Sequence, residues 1–416
     1  MVNSDVIVLG AGMVGICTAI HLQRRGRSVV VIDRKAPGEE TSYGNAGVIQ
    51  REAVRPYAFP RDWPTLFSAM GNQRLDIRYR PLSVLQSMGP LLQYYRHSAP
   101  ARYQKIARDY ASIIALSLDS HGDLIEAAGA DGLLGEQGLV FLYRTEQARD
   151  EAFATAEAVR AEGVSHRKLT GKELAQLEPT LADSHAGGIH WTDPWTIRSP
   201  GDLVKAYAAL FEQLGGRILR GDAATLTRQG PHWHIRDEQL DDHLATEVVV
   251  CLGPWSTRLT SRFGYAPPLF VKRGYHMHYR YRESGPQQTH WVLDAERGYL
   301  MAPMKQGIRL TTGAELALLD EPASYAQLEA AEAVARQTFA IGERVDPQPW
   351  KGARPCMPDM KPVIGAVPGV DGMWCAFGHG HQGFTLGPAT GMLLAAMMSG
   401  EPAAIDMQPF SPARSF

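Results

Sequence analysis

Residues 5–33, DVIVLGAGMVGICTAIHLQRRGRSVVVID, constrain the fold of this chain more than any other stretch. Residues 6–9 form a short apolar run, as expected of a parallel strand buried on both faces. Gly10, Ala11, Gly12, Met13, Val14 and Gly15 then spell G-x-G-x-x-G. Val14, Cys17 and Ile20 recur at helical spacing, and Gly26 ends that pattern. Residues 28–32 form a second apolar strand, and Asp33 closes it. Strand, glycine turn, helix, strand and terminal acid, in that order, make a βαβ unit suited to a dinucleotide. Gly10 permits the tight turn, Gly12 lets a pyrophosphate approach the backbone, and Gly15 lets helix and strand pack. The helix N-terminus offers free N–H groups and partial positive charge to phosphates. Asp33 is placed to accept hydrogen bonds from ribose hydroxyls. The fingerprint by itself does not separate NAD from FAD.

At 416 residues the chain exceeds one ordinary domain, so two intertwined domains are expected. Hydrophobic residues at 44% and charged residues at 21% are globular values. A net charge of −2 with no like-charge tail gives no sign of a nucleic-acid partner. The four cysteines are far apart, without C-x-x-C or metal spacing, and Cys17, Cys251 and Cys375 sit in apolar runs. Reduced cysteines and a cytoplasmic location are expected. The longest apolar run, 389–398, is about half the ~18 residues a membrane span needs. Peripheral attachment, as at an inner membrane, is left open.

Further along, ETSYGNAGVIQ (40–50) is rich in small polar residues, suited to backbone contact with a flat ligand. Residues 51–100 carry many Pro, Arg and aromatic residues and read as an irregular insertion with short helices. Residues 101–128 read as one core-facing helix, 139–143 as a strand and 146–162 as an Ala-rich helix. Ser199 and Pro200 are expected to start a helix, with Ser199 as its cap, that stops at Gly215. Residues 217–226 offer a strand to add to the nucleotide sheet. EVVVCLGPWS (247–256) is a strand ending in a turn at the carboxyl edge, where ligands bind in such sheets.

LFVKRGYHMHYRYRE (269–283) alternates, placing Tyr275, Met277, Tyr279 and Tyr281 on one face and His276 and His278 on the other. No acid or Cys stands at ligand spacing to these histidines, and no metal is expected. Strands at 291–294, 299–303 and 308–313, then a helix at 321–341, suggest an antiparallel sheet with a helix. Finally, strand 373–377, the turn Gly378-His379-Gly380-His381-Gln382-Gly383 and helix 384–398 aim a second helix N-terminus at a ligand.

Six stretches, in order along the chain, resemble one family: GAGMVG (10–15), ETSYGNAG (40–47), VCLGPWS (250–256), KRGY (272–275), GARPCMPDMKPVIG (352–365) and GHGHQGFTLGPATG (378–391). The chain resembles the D-amino-acid oxidase family of flavoproteins, which includes glycine and sarcosine oxidases. Within it the resemblance is greatest to bacterial D-amino-acid and D-hydroxyproline dehydrogenases. The resemblance implies an α/β protein: a Rossmann-like FAD-binding domain (1–50, 145–268 and 350–416) with an inserted antiparallel-sheet substrate domain (51–144 and 269–349). It implies noncovalent FAD, since Cys356 is not at the attachment spacing of covalent relatives. The 10–15 turn, Asp33, Arg34 and Lys35 would hold its AMP half. Thr41, Ser42, Asn45, Ala46 and Gly47 would lie against the isoalloxazine. Ala223, Cys251, Gly253 and Trp255, with Gly378, His379, Gly380, Gly383, Phe384 and Thr385, would complete the pocket.

Arg354, the arginine of G-x-R-P, would pair with a substrate carboxylate, a charge-assisted fork geometry. An ion pair to Asp359 is the competing role. Tyr275 would close over the ligand or else pack across strands, and His381 would shape the pocket. The implied activity is oxidation of a CH–NH or CH–NH2 donor, a small D-amino or imino acid, with D-proline or cis-4-hydroxy-D-proline favoured. Sarcosine or glycine oxidation, and an FAD-carrying subunit of a larger complex, are the alternatives. The electron acceptor, quinone or oxygen, is not written in the sequence.

Overall fold

The computed structural model describes residues 2–181, 185–284 and 286–416. These form two large sheets with helices packed on and between them. In the eight-stranded sheet, Val2–Leu9 runs parallel to Val29–Asp33 on one side and Asp242–Val250 on the other. Arg217–Arg220 adds in parallel beyond Val29–Asp33. Asp242–Val250 is shared along its free edge. Its first half takes the antiparallel strand His232–Arg236, and its last three residues take Met373–Phe377 in parallel. The two ends of the chain therefore meet in one sheet.

The apolar runs follow from burial on both faces. Val6, Val8, Val29, Val31 and Val249 face the core that holds helices Met13–Gln23, Pro200–Gln213 and Gly383–Met398. Ile7, Leu9, Val30, Ile32, Val248 and Val250 face a second core with Trp233, Ile235 and Phe377.

The second sheet has eleven strands organised on Phe270–Tyr281. That strand pairs with Gly307–Thr311 and Ala314–Leu316 on one edge, and with Ile341–Arg344 and Trp350–Cys356 on the other. Its alternation is realised: Tyr275, Met277 and Tyr279 pack under helix Ala326–Thr338, on Leu328, Ala331 and Ala335. Most pairings are antiparallel. Trp291–Asp294 with Leu139–Tyr143, and Ala314–Leu316 with Ile77–Tyr79, are parallel.

Several sequence expectations are corrected. The segment 145–268 was assigned wholly to the nucleotide-binding part, yet His166–Thr170 and Gly187–Trp191 hydrogen-bond into the second sheet beside Leu139–Tyr143. Trp350–Cys356, assigned likewise, also lies in that sheet. Pairing partners distant in sequence decided this, and local pattern does not name them. The helix expected over 101–128 is two, Pro100–Ile114 and Ser117–Ala127. The chain turns at Ala115 and Leu116, which brings His121 against the last helix. Ser199 precedes Pro200–Gln213 but its side chain makes no cap bond. The strand expected at 217–226 ends at Arg220, and Ala223–Thr225 is a 3-10 turn. All four cysteines are free, and Cys17, Cys251 and Cys375 are buried. Among the described residues, no helix is long and apolar enough to cross a membrane.

Candidate active site

The first turn closes on itself by necessity. Gly10 has φ +110°, and a Cβ there would stand 2.5 Å from the Cys251 carbonyl oxygen. A Cβ on Gly15 would stand 1.9 Å from the Gly10 oxygen. The glycines thus bring the first helix, its strand and the end of Asp242–Val250 into backbone contact. Asp33 accepts from the N–H of Ala11 at 2.7 Å and of Lys35 at 2.9 Å. Its carboxylate fastens the turn while remaining on the cavity wall. Ser42 Oγ accepts from the Met13 N–H at 3.0 Å. Ser42 thereby caps the first helix while remaining on the cavity wall.

The second turn is tied to the strand that carries Arg354. Gly380 N–H donates to the Pro355 carbonyl at 2.7 Å, and Cys356 bridges His379. The helix that follows, Gly383–Met398, contains Pro388, which has no N–H for the Phe384 carbonyl four residues back. His121 replaces that donor. Its Nε2 lies 2.9 Å from the Phe384 oxygen and its Nδ1 3.1 Å from the Tyr207 hydroxyl. The carbonyl can only accept, so the proton sits on Nε2 and Tyr207 donates to Nδ1.

Both turns open into one cavity of about 1150 Å3, at the large end for ligand pockets. Gly10, Gly12, Met13, Val14, Asp33 and Arg34 line one part of it, where Arg34 lies over the Trp255 ring at 4.3 Å. Thr41, Ser42, Asn45, Ala46, Ala223, Cys251 and Gly253 line it further along. Gly378, His379, Gly380, His381, Gly383 and Phe384 line the rest, together with Arg354. Five expected contacts are not on this wall. Ala11 bonds Asp33, Gly15 packs on Gly10, and Lys35 pairs with Glu40 at 2.8 Å. The Gly47 N–H is held by Asn45 Oδ1 at 2.8 Å, and Thr385 Oγ1 accepts from the Gln50 N–H at 3.2 Å.

Arg354 sits inside the molecule with its guanidinium at the cavity. It donates to the carbonyls of Gly313 at 2.8 Å and Thr312 at 3.3 Å. Asp359, the competing partner, is taken by Arg414 at 2.7 Å. Among the described residues no carboxylate lies within 4.0 Å of Arg354. Burial pulls its pKa below the ordinary value.

Tyr275 borders the cavity, but its hydroxyl is engaged within the second sheet. Its ring is 1% exposed in the second core, and its hydroxyl is bonded to Glu315 and to the Ser324 N–H. Arg273 pairs with the same Glu315 carboxylate at 2.8 Å. Lys272 of the same KRGY stretch also lines the cavity and brings a cation to it, a role the sequence expectation did not include. Strand register sets Lys272 directly opposite Arg354, so both side chains share one face. Lys272 Nζ lies 3.1 Å from the Tyr94 hydroxyl. Burial opposes its charge, but Tyr94 and Cys356 more than offset that, and its pKa lies above the ordinary value. His381, packed on Tyr57 at 4.8 Å, is driven down to about 3 by burial and by the Arg354 and Lys272 charges. It is a neutral wall residue at physiological pH.

The other histidines of that strand hold the 40–47 loop. Asp346 binds His278 Nδ1 at 2.6 Å, and Arg309 Nε lies 2.9 Å from His278 Nε2. Arg309 then donates to the carbonyls of Asn45 at 2.6 Å and Tyr43 at 3.1 Å. His276 stacks on Trp350 at 4.8 Å. Alternating His in a strand gave a hint that this face is occupied. Nothing local pointed to Arg309.

Two glycine-turned helices opening on one cavity, walled by a second sheet that supplies buried cations, define a dinucleotide-dependent oxidoreductase. The family model described as "DAO: FAD dependent oxidoreductase" matches residues 5–397. The chain belongs to this family, and FAD is its cofactor. It is 29% identical over 419 residues to a D-amino-acid oxidase of Bradyrhizobium diazoefficiens, covering 98% of each chain. It is 28% identical to a D-amino acid dehydrogenase of Chromohalobacter salexigens, covering 97% of each. In fold it is similar to glycine oxidase from Geobacillus kaustophilus, with TM-score 0.73, 22% identity and 100% of each chain covered.

Proposed function

We propose that the protein oxidises the Cα–N bond of a small D-amino or imino acid, with Arg354 and Lys272 receiving the carboxylate. The observation that carries this is a guanidinium on the cavity wall beside the second glycine turn, with no carboxylate within 4.0 Å among the described residues. The first glycine turn, with Gly12 on the cavity wall at the N-terminus of the first helix, fits the pyrophosphate of a noncovalent FAD. Asp33, Arg34 and Trp255 would serve its adenosine end, and the 41–46 loop and the 378–384 turn its ring end. FAD, when bound, accepts the hydride equivalent that leaves Cα.

The residues do the remainder by placement. Arg354 and Lys272 fix one end of the substrate. Neutral His381 with Tyr57 and Tyr94 surrounds the rest with rings and adds no further charge. Two cations with no carboxylate within 4.0 Å among the described residues repel a basic side chain, and the surrounding rings suit an apolar ring, which favours D-proline or cis-4-hydroxy-D-proline among D-amino acids. Neither His381, held at about 3, nor the two cations is a strong base at neutral pH, so the substrate amine is taken in neutral form. The discontinuous arrangement fits an FAD-binding part and a substrate-binding part joined across this cavity.

Anaerobic mixing of the purified yellow protein with D- and L-amino acids, N-methyl amino acids and hydroxyprolines tests this. D-proline or its hydroxy derivative should bleach the flavin band fastest. Bleaching by sarcosine or glycine alone would move the substrate to simple amines. A lone chain that no amine bleaches would be an electron-carrying subunit.

A further inference from the structure

Arg309 is a buried cation that the proposed reaction does not use. It stands on strand Gly307–Thr311 directly opposite His278 and is 3% exposed. Among the described residues, no carboxylate lies within 4.0 Å of it. Its counter-charge is reached through His278. An arginine N–H can only donate, so His278 Nε2, 2.9 Å from Arg309 Nε, accepts. His278 is therefore neutral with its proton on Nδ1, which donates to Asp346 at 2.6 Å. Burial and the Arg309 charge hold the His278 pKa below its ordinary value. Asp346 also accepts the His278 backbone N–H at 3.0 Å, and its side chain is 29% exposed. A carboxylate near the surface, a neutral imidazole and a buried guanidinium thus form one line running inward.

The line ends on the 40–47 loop. Arg309 donates to the carbonyls of Asn45 at 2.6 Å and Tyr43 at 3.1 Å. A trans peptide turns its N–H away from its own C=O. With those two carbonyls held by Arg309, the Gly44 and Ala46 N–H groups point the other way, and neither donates to a described residue. Gly44 and Ala46 both line the cavity. The second sheet grips the loop at another place as well. A Cβ on Gly44 would stand 1.8 Å from the Trp350 ring, on which His276 stacks at 4.8 Å. Taking a guanidinium out of water is costly unless its donors are used. Among the described residues, those of Arg309 go to His278 and to this loop.

We propose that Asp346, His278 and Arg309 are positioning residues for the flavin: their line holds the 43–46 backbone in the shape that receives the ring end of FAD. This rests on the 41–46 loop serving that end, as in the proposed function. None of the three lines the cavity, so each acts through the loop.

The test titrates the full-length apoprotein, unaltered and as Arg309→Met and Asp346→Ala, with FAD and with ADP, which carries the adenosine end alone. The visible absorption and circular dichroism of the bound flavin are recorded. Both variants should bind FAD roughly tenfold to hundredfold more weakly, the scale of one or two lost charge-assisted hydrogen bonds. They should bind ADP as the unaltered chain does, and their flavin bands should shift. Asp346 is partly exposed, so Asp346→Ala decides the matter if Arg309→Met does not fold. Unchanged FAD affinity and flavin bands in Asp346→Ala overturn the inference. Equal weakening of FAD and ADP also overturns it, because the line would then support the fold as a whole. Asn45→Ala, which removes the bond from the Gly47 N–H to Asn45 Oδ1, separates the two ways of failing. If it moves the flavin bands while Asp346→Ala does not, the line alone is refuted. If it leaves them unmoved as well, the loop does not meet the ring, and that part of the proposed function falls with the inference.

Discussion

Arg354 is the residue on which function turns, because its guanidinium faces the cavity and, among the described residues, bonds backbone carbonyls and pairs with no carboxylate. Arg354→Leu is expected to weaken substrate binding by about 2–4 kcal/mol, roughly 30- to 1000-fold in Kd, the scale for a desolvated charge pair. The check is titration of the holoenzyme with a carboxylate-bearing competitive ligand, and an unchanged Kd would remove Arg354 from the site. Acid sensitivity is also set residue by residue. Burial holds His121 at about 4, and His379 and His381 at about 3, below the ordinary 6.5. The unfolded chain binds protons below about pH 6.5 that the folded chain refuses until much lower pH. Stability from these groups is therefore complete above 6.5 and is lost as pH falls toward 4. His121→Gln removes one such proton and should flatten the acid limb by about 1.4 kcal/mol per pH unit, read by denaturant unfolding at stepped pH.

Among the elements, the first and last helices pack with their backbones in near contact. The last carries Gly383, Gly387 and Gly391 at four-residue spacing. A Cβ on Gly391 would lie 2.6 Å from the backbone of Cys17 and Thr18, and one on Gly387 2.5 Å from Met13 Cγ. Gly391→Ala should push the helices apart at a cost of about 1–3 kcal/mol, the usual range for overpacking. Gly122→Ala, whose Cβ would meet only Trp195 at 3.4 Å, should be neutral or gain up to about 1 kcal/mol of helix propensity. Thermal unfolding of both variants would separate a packing glycine from a merely helical one. The GxxxG spacing was in the sequence. That it faces the first helix, and not a ligand, was not, because spacing identifies a close contact without naming the partner.

For the whole molecule, the cavity is walled by both sheets, so cofactor and fold are thermodynamically linked. Stripping FAD should lower the melting temperature, and restoring it at a hundredfold its Kd should return about 2.7 kcal/mol. An apoprotein that melts where the holoprotein does would show that the cavity does not hold it. The calorimetric trace also reports whether the two sheets unfold together.

The sequence by itself determined the nucleotide-binding βαβ unit, the second glycine turn, the alternating strand 270–281 and the family, because each is written in contiguous residues with local periodicity. Arg354, singled out by its G-x-R-P motif, lines the cavity. Tertiary structure alone decided that Tyr275 is bound to Glu315 while Lys272 faces the ligand space, that Arg309 holds the 40–47 loop, and that two strands from 145–268 join the second sheet. Those outcomes depend on strand register and on partners dozens to hundreds of residues away. A one-residue change of register turns every side chain to the other face, and nothing short of the assembled sheet fixes it.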